Sequence, residues 1–170
     1  PEDRQITHQL FGGDWENRLK QELVLGIGGI RALRQLGIRT QIYHCNEGHA
    51  AFIGLERLRE YIQEENLGFD EALEVVRASS LFTTHTPVPA GHDAFDEGLL
   101  GRYLGYFPNL LKIDWRMMMS LGKVNCHDVN EKFSMSVLAA NISQNVNGVS
   151  MLHGTRDLPP DRDLWRGSAP

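Results

Sequence analysis

The sequence predicts an α/β domain built on a parallel sheet, and three observations predict it. Two runs of strand-forming residues, 38–42 and 81–84, each pass directly into a stretch dense in polar side chains: Tyr43, His44, Asn46, Glu47 and His49 after the first, His85, Thr86, His92 and Asp93 after the second. The two junctions lie about 35 residues apart, the length of one parallel β-α-β crossover. Between them, apolar residues recur at steps of three and four, as on one face of a helix. Two polar strand ends on one sheet edge then make a shared pocket, because ligands of open α/β sheets bind outside the carboxyl ends of the strands.

The elements follow in order. Asp14 is a natural N-cap for a helix whose face carries Leu19, Leu23, Ile27 and Ile30. Gly26, Gly28 and Gly29 fall inside that pattern. They follow a helix rather than a strand and miss the GxGxxG spacing, so they are expected to serve close packing or backbone approach to a ligand, not dinucleotide binding. Gly37 ends the helix as its C′ residue, and residues 38–43 read as a buried strand. Phe52, Leu55, Leu58, Tyr61 and Ile62 mark a second helical face, and residues 69–78 a third, with Asp70 and Glu71 in its first turn.

After the strand at 81–84, Pro87 and Pro89 forbid both helix and central strand, so residues 85–93 are expected to form a fixed, irregular loop. Residues 95–106 read as a helix, 108–121 as mixed, and 122–132 as a polar loop. Ser134 caps a last helix over 137–142, and residues 147–153 read as a turn followed by a short apolar run. The run Met117, Met118, Met119 is expected to fill core.

Composition bounds the function. The 170 residues suffice for one domain with a real core, and 41% hydrophobic with 23% charged residues is ordinary for a globular chain. A net charge of -5 offers no basic stripe for nucleic acid. No apolar span of about 18 residues and no signal peptide is visible, so no membrane is expected. Cys45 and Cys126 form neither a CxxC pair nor a disulfide framework, which favours a reducing, cytoplasmic setting. The chain opens on Pro1 rather than Met, and residues 156–170 are rich in Asp, Arg and Pro without periodicity, so a piece of a longer protein is expected.

The junction residues set the chemistry. His44, Glu47 and His49, with His85 or His92, could ligate a metal, but the five-residue step from His44 to His49 across a strand-to-helix turn is not the spacing zinc uses, and no metal is expected. Cys45, between outward-facing neighbours, is expected to point into the core rather than act as a nucleophile. Neutral donors and acceptors gathered at two strand ends suit the hydroxyls of a sugar.

At these residues the sequence resembles the α-glucan (glycogen/starch/maltodextrin) phosphorylases, in particular their shorter bacterial and archaeal branch. The matching words are Ile6-Thr7-His8-Gln9-Leu10-Phe11-Gly12-Gly13-Asp14, Gln21-Glu22-Leu23-Val24-Leu25-Gly26-Ile27-Gly28-Gly29, Asn46-Glu47-Gly48-His49-Ala50-Ala51-Phe52, Phe82-Thr83-Thr84-His85-Thr86-Pro87-Val88-Pro89-Ala90-Gly91-His92-Asp93 and Asn147-Gly148-Val149-Ser150-Met151-Leu152-His153-Gly154. They are collinear and cover nearly everything up to Gly154.

The resemblance implies a GT-B architecture of two Rossmann-like domains, with residues 1–154 part of the N-terminal one and 155–170 an irregular, truncated tail. It implies phosphorolysis of α-1,4-glucan by orthophosphate to glucose 1-phosphate, with His85 as the catalytic histidine that bonds the glucosyl 6-hydroxyl while its carbonyl faces the developing positive charge. Asn46, Glu47, His49, Thr86 and Asp93 then line the glucan-binding side. Ala90 departs from the acidic residue that the long eukaryotic-type branch carries in this loop. The family's pyridoxal 5′-phosphate is held by a lysine of the C-terminal domain, which is not in this chain, as is the Arg/Lys pair that holds the substrate phosphate. The fragment alone is therefore expected to be inactive, and the intact protein to be a homodimer. A stand-alone carbohydrate-binding or regulatory module is the alternative and would need no cofactor.

Overall fold

In the computed structural model of the chain, residues 2–9, 12–85 and 92–149 are described. Helix α1 (Trp15–Leu23) is capped by the Asp14 side chain, which accepts from Asn17 N at 2.9 Å, and it runs through a π-helical turn (Val24–Gly28) into α2 (Gly29–Gln35). Gly37 follows with φ +74°. Strand β1 (Tyr43–Asn46) leads through a 3-10 turn (Gly48–Ala50) to α3 (Phe52–Glu64), and α4 (Phe69–Ala78) leads to β2 (Ser80–Thr84). Then come β3 (Ala94–Phe95), α5 (Glu97–Leu104), α6 (Phe107–Leu111), α7 (Trp115–Ser120), β4 (Phe133–Ser134), α8 (Met135–Asn141) and β5 (Asn145–Gly148).

The architecture is the expected α/β one. A three-stranded sheet has the order β1-β2-β5, parallel throughout, with Tyr43 opposite Ser80 and Phe82 opposite Val146. Helices α3 and α4 make the crossover between β1 and β2. A separate antiparallel pair joins β3 to β4. Phe52, Leu55, Leu58 and Ile62 of α3 are fully buried, and with Ala72, Val76, Phe82, Leu138 and Val146 they belong to one core. This is the arrangement that apolar steps of three and four demand, since each helix must bury its stripe against the sheet or another helix.

Three expectations need correction. Residues 38–42 are not strand: Ile38 and Ile42 are 44% and 73% exposed, and pairing begins only where Tyr43 N donates to Ser79 O at 2.9 Å. The partner strand β2 itself starts at Ser80, so among the described residues no strand lies alongside the earlier ones to pair with. The turn expected at Asn147 and Gly148 is instead β5, because the edge of β2 supplies the missing hydrogen-bond partners and Val146 finds a buried place. The helix expected from Phe95 begins at Glu97, Phe95 being a buried strand residue paired with Phe133.

The glycine cluster divides. A Cβ on Gly26 would stand 2.7 Å from Phe52 Cβ and 2.9 Å from Ile53 N, so this one glycine lets the π-helical turn lie directly on α3. A Cβ on Gly29 would meet nothing within 4 Å, so close packing does not account for it. Met118 and Met119 are buried as expected, whereas Met117 is 44% exposed. Residues 86–91, where the irregular loop is expected and which include Thr86 and Ala90, and residues 150–170 lie outside the described residues.

Candidate functional site

The two junctions do meet, at the carboxyl ends of β1 and β2. Glu47 N donates to Thr83 O at 2.9 Å, extending the pairing of the strands by one residue. The chain then turns sharply: Glu47 has φ 66° and ψ 177°, a region that a residue with a Cβ occupies only under strain, at a cost of about 1–3 kcal/mol. The turn throws the Glu47 carboxylate towards β2, where Oε1 accepts the backbone N–H of His85. The His85 ring returns towards β1, bonding through Nε2 to Asn46 Oδ1. An amide oxygen only accepts, so Nε2 carries the proton, and in the neutral ring Nδ1 is the acceptor. Asn46 and His85 are exposed, and the clasp offers a ligand one oriented imidazole beside the Asn46 amide and the Glu47 carboxylate.

His49 and Asp93 form a second group. Gly48 lets the 3-10 turn approach α8 so closely that a Cβ there would stand 3.0 Å from backbone and side-chain atoms of Met135. Met135 N donates to Asp93 O at 2.9 Å, and the Trp15 ring packs edge-on to Phe95 with centroids 6.0 Å apart, which brings α1, β3 and α8 together. Into this meeting point α1 sends two residues that the sequence reading did not single out, Arg18 and Glu22. Arg18 Nη2 donates to Asp93 Oδ2 at 2.6 Å. His49 Nδ1 stands 2.7 Å from that nitrogen and 3.0 Å from that oxygen, accepting from one or donating to the other according to its tautomer. Arg18 Nε pairs with Glu22 Oε1 at 3.1 Å across one helical turn.

The electrostatics of this group are lopsided. Burial alone would raise the Asp93 carboxyl, but its contacts with His49 and Arg18 outweigh it and hold the group well below the ordinary carboxylate range. Glu22 is only 1% exposed. Burial first, then the neighbouring Asp93 carboxylate, push its carboxyl up to about 10 against the opposing charge of Arg18. Two hollows flank Arg18: one of about 240 Å³ against Gln21, Glu22 and His49, the other of about 450 Å³ against Asp14, Trp15 and Asp93.

The signal for Arg18 and Glu22 was present but faint. The stretch from Arg18 to Glu22 reads as a solvated charged face, yet Glu22 sits one turn from both Leu19 and Gly26, at the margin of the apolar stripe. Other singled-out residues go elsewhere. His44 Nε2 meets Thr83 Oγ1 at 2.8 Å, and that hydroxyl donates to Asn147 Oδ1 at 2.7 Å, a polar row across the sheet. His92 Nδ1 lies 2.6 Å from Ser136 Oγ on α8. Cys45 is 2% exposed, as expected, and burial pushes its thiol up to about 11, which makes it a poor nucleophile.

Glu22, His49 and Asp93 bring one ligand atom each within 4.8 Å of one another, so they are the residues that could hold a cation among those described. Arg18 Nη2 already supplies positive charge between His49 and Asp93, so the donor set is that of an arginine-centred cluster. The group does not suit an anionic cofactor either. Glu22, Glu47 and Asp93 line this end of the fold, while Lys20 faces Tyr103, Lys123 pairs with Glu97 and Lys132 with Asp96. Among the described residues, no helix is long and apolar enough to cross a membrane.

Comparison with known proteins follows the same lines. The carbohydrate phosphorylase family model matches residues 30–156. The chain is 41% identical to the glycogen phosphorylase of Mycobacterium tuberculosis over 98% of its own length, and 43% identical to the maltodextrin phosphorylase of Thermococcus litoralis, again over 98%. It is 31% identical to the glycogen phosphorylase of Aquifex aeolicus over 90% of its length. It spans 20%, 19% and 22% of these relatives respectively.

Proposed function

This chain belongs to the carbohydrate phosphorylase family, and on that premise we propose that it supplies the glucan-binding half of a site that phosphorolyses α-1,4-glucan to glucose 1-phosphate. Residues 1–154 are then part of the N-terminal domain of a GT-B enzyme, which as an intact protein is a homodimer. The observation that carries the reading is the clasp between the two strand ends: Glu47 on the His85 backbone and Asn46 on its ring.

In this reading His85 is the catalytic histidine. The bond between the anomeric carbon and the glycosidic oxygen breaks, that oxygen leaves with a proton, and an orthophosphate oxygen takes the anomeric carbon. Positive charge develops on the sugar as this happens. A histidine anchored at both its backbone and Nε2 presents Nδ1 to a sugar hydroxyl with little freedom left to lose, and such fixed dipoles act most strongly on charge that appears only in the transition state. Glu47, Asn46 and His49, with Thr86 and Asp93, hold the glucan. Carboxylates suit its neutral hydroxyls and repel the phosphate, so orthophosphate must be held by cations outside this cluster. Pyridoxal 5′-phosphate belongs with those cations in the intact protein. The acidic residues at this end of the fold do not fit it.

Steady-state kinetics on the intact protein test the assignment. His85→Ala should lose on the order of 2–4 kcal/mol of transition-state stabilisation, about a hundredfold or more in kcat, with a smaller change in glucan KM. Glu47→Gln and His49→Ala should raise KM at least as much as they lower kcat. Near-wild-type turnover in His85→Ala would overturn the assignment. Glucan binding by an intact protein that releases no glucose 1-phosphate would make it a carbohydrate-binding module instead. The 170-residue chain alone should release none.

A further inference from the structure

We propose that Glu22 is a positioning residue which, as a neutral carboxylic acid, donates a hydrogen bond to Asp93 and thereby holds Asp93, Arg18 and His49 in the arrangement that meets the glucan. The proposal deepens the reading above and rests on His49 and Asp93 being glucan-side residues.

The argument begins with a count of charges. One guanidinium serves two carboxyl groups: Arg18 Nε lies 3.1 Å from Glu22 Oε1, and Arg18 Nη2 lies 2.6 Å from Asp93 Oδ2. His49 Nδ1 is 3.9 Å from the first carboxyl and 3.0 Å from the second. The charged groups facing one another come from three places: α1 gives Arg18 and Glu22, the turn after β1 gives His49, and the residue before β3 is Asp93, while α8, packed on the same point, carries no titratable side chain. Two carboxylates within 4.8 Å of each other and shielded from water do not both ionise against a single arginine, because their repulsion is unscreened. One keeps its proton, and a neutral acid in an apolar place is a strong hydrogen-bond donor.

Geometry decides which. Asp93 has the shorter contact with Arg18, the closer histidine and a side chain 16% exposed, all of which favour the anion. Glu22 has a side chain 1% exposed and a longer contact with Arg18, 3.1 Å at Nε, so burial and the Asp93 charge favour its acid form. Its proton then points to Asp93 and neutralises what would otherwise be like-charge repulsion at the floor of the site.

The pH dependence follows with a definite sign. Glu22 rises from an ordinary value of 4.5 to about 10, so the folded protein holds a proton that the unfolded chain releases. The stability this provides is complete below 4.5 and is lost progressively as pH rises towards about 10.

Infrared spectroscopy and kinetics on the intact protein test the proposal together. At about pH 8, wild type should show the carbonyl band of a protonated carboxylic acid, and Glu22→Gln should lack it. Glu22→Ala should raise glucan KM about tenfold with a smaller change in kcat, and Glu22→Gln, an isosteric neutral donor, should restore KM to within about threefold. The KM of wild type should climb above about pH 9 while that of Glu22→Gln stays level. An unchanged infrared band in Glu22→Gln, or a Glu22→Gln as damaging as Glu22→Ala, would overturn the proposal, since the ionised carboxylate would then be the working form. Should Glu22→Ala fail to fold, the other two proteins still decide. If the intact protein releases no glucose 1-phosphate the phosphorolysis reading fails, and the infrared comparison still decides the state of Glu22.

Discussion

The two ends of the parallel sheet handle buried charge in opposite ways. At the amino end, Arg57 of α3 is 1% exposed, and among the described residues no ion pair reaches it. Its guanidinium lies 3.8 Å over the Tyr43 ring and donates to Ser80 Oγ at 2.8 Å, to Val76 O at 3.3 Å and to Ser79 Oγ. Neighbouring Arg34 donates to Tyr43 OH at 2.6 Å and grips Glu60 with two nitrogens. The acceptors there are made by the fold itself. At the carboxyl end the acids outnumber their arginine and the backbone of Glu47 is held under strain. Where the fold completes a charge's partners, the charge is structural; where it leaves the count unbalanced, proton and ligand take part in settling it.

The largest effect should come from breaking the complete end. Arg57→Ala removes the cation–π contact and the charged hydrogen bonds together and should cost about 3 kcal/mol or more in urea unfolding of the intact protein. Because these partners are structural, glucan KM of the folded protein should not change; a raised KM would dissolve the contrast between the ends. Gly26→Ala comes next. It drives a methyl group into Phe52 and should cost about 2 kcal/mol. The same helix carries Arg18 and Glu22, so this change should also raise KM. Gly29→Ala, helical and unobstructed, should be neutral or stabilise by up to about 1 kcal/mol. The smallest test concerns Glu47. Glu47→Gly and Glu47→Ala both lose the carboxylate, but only glycine suits φ 66°, so Glu47→Gly should be the more stable by about 1 kcal/mol. The reverse order would mean that the backbone there is not strained.

The sequence alone determined the elements whose signal is local. The apolar steps of α3 and α4 mark helices because a helix must bury one stripe, and α4 spans residues 69–78 as its pattern predicts. The chain length between β1 and β2 forces their parallel pairing, and that pairing sets Asn46 and Glu47 beside His85. Tertiary structure decided whatever needed a partner distant in sequence. Residues 38–42 are as β-branched as a strand requires, yet β2 begins too late in the chain to pair with them; Asn147 and Gly148 read as a turn, yet they complete a sheet because β2 offers its edge. Glu22 looks like a surface acid in a charged helix until the fold brings His49 and Asp93 against it. Burial and the charge of Asp93, 71 positions away, raise the Glu22 carboxyl, and helical spacing carries no information about groups that only packing brings within reach.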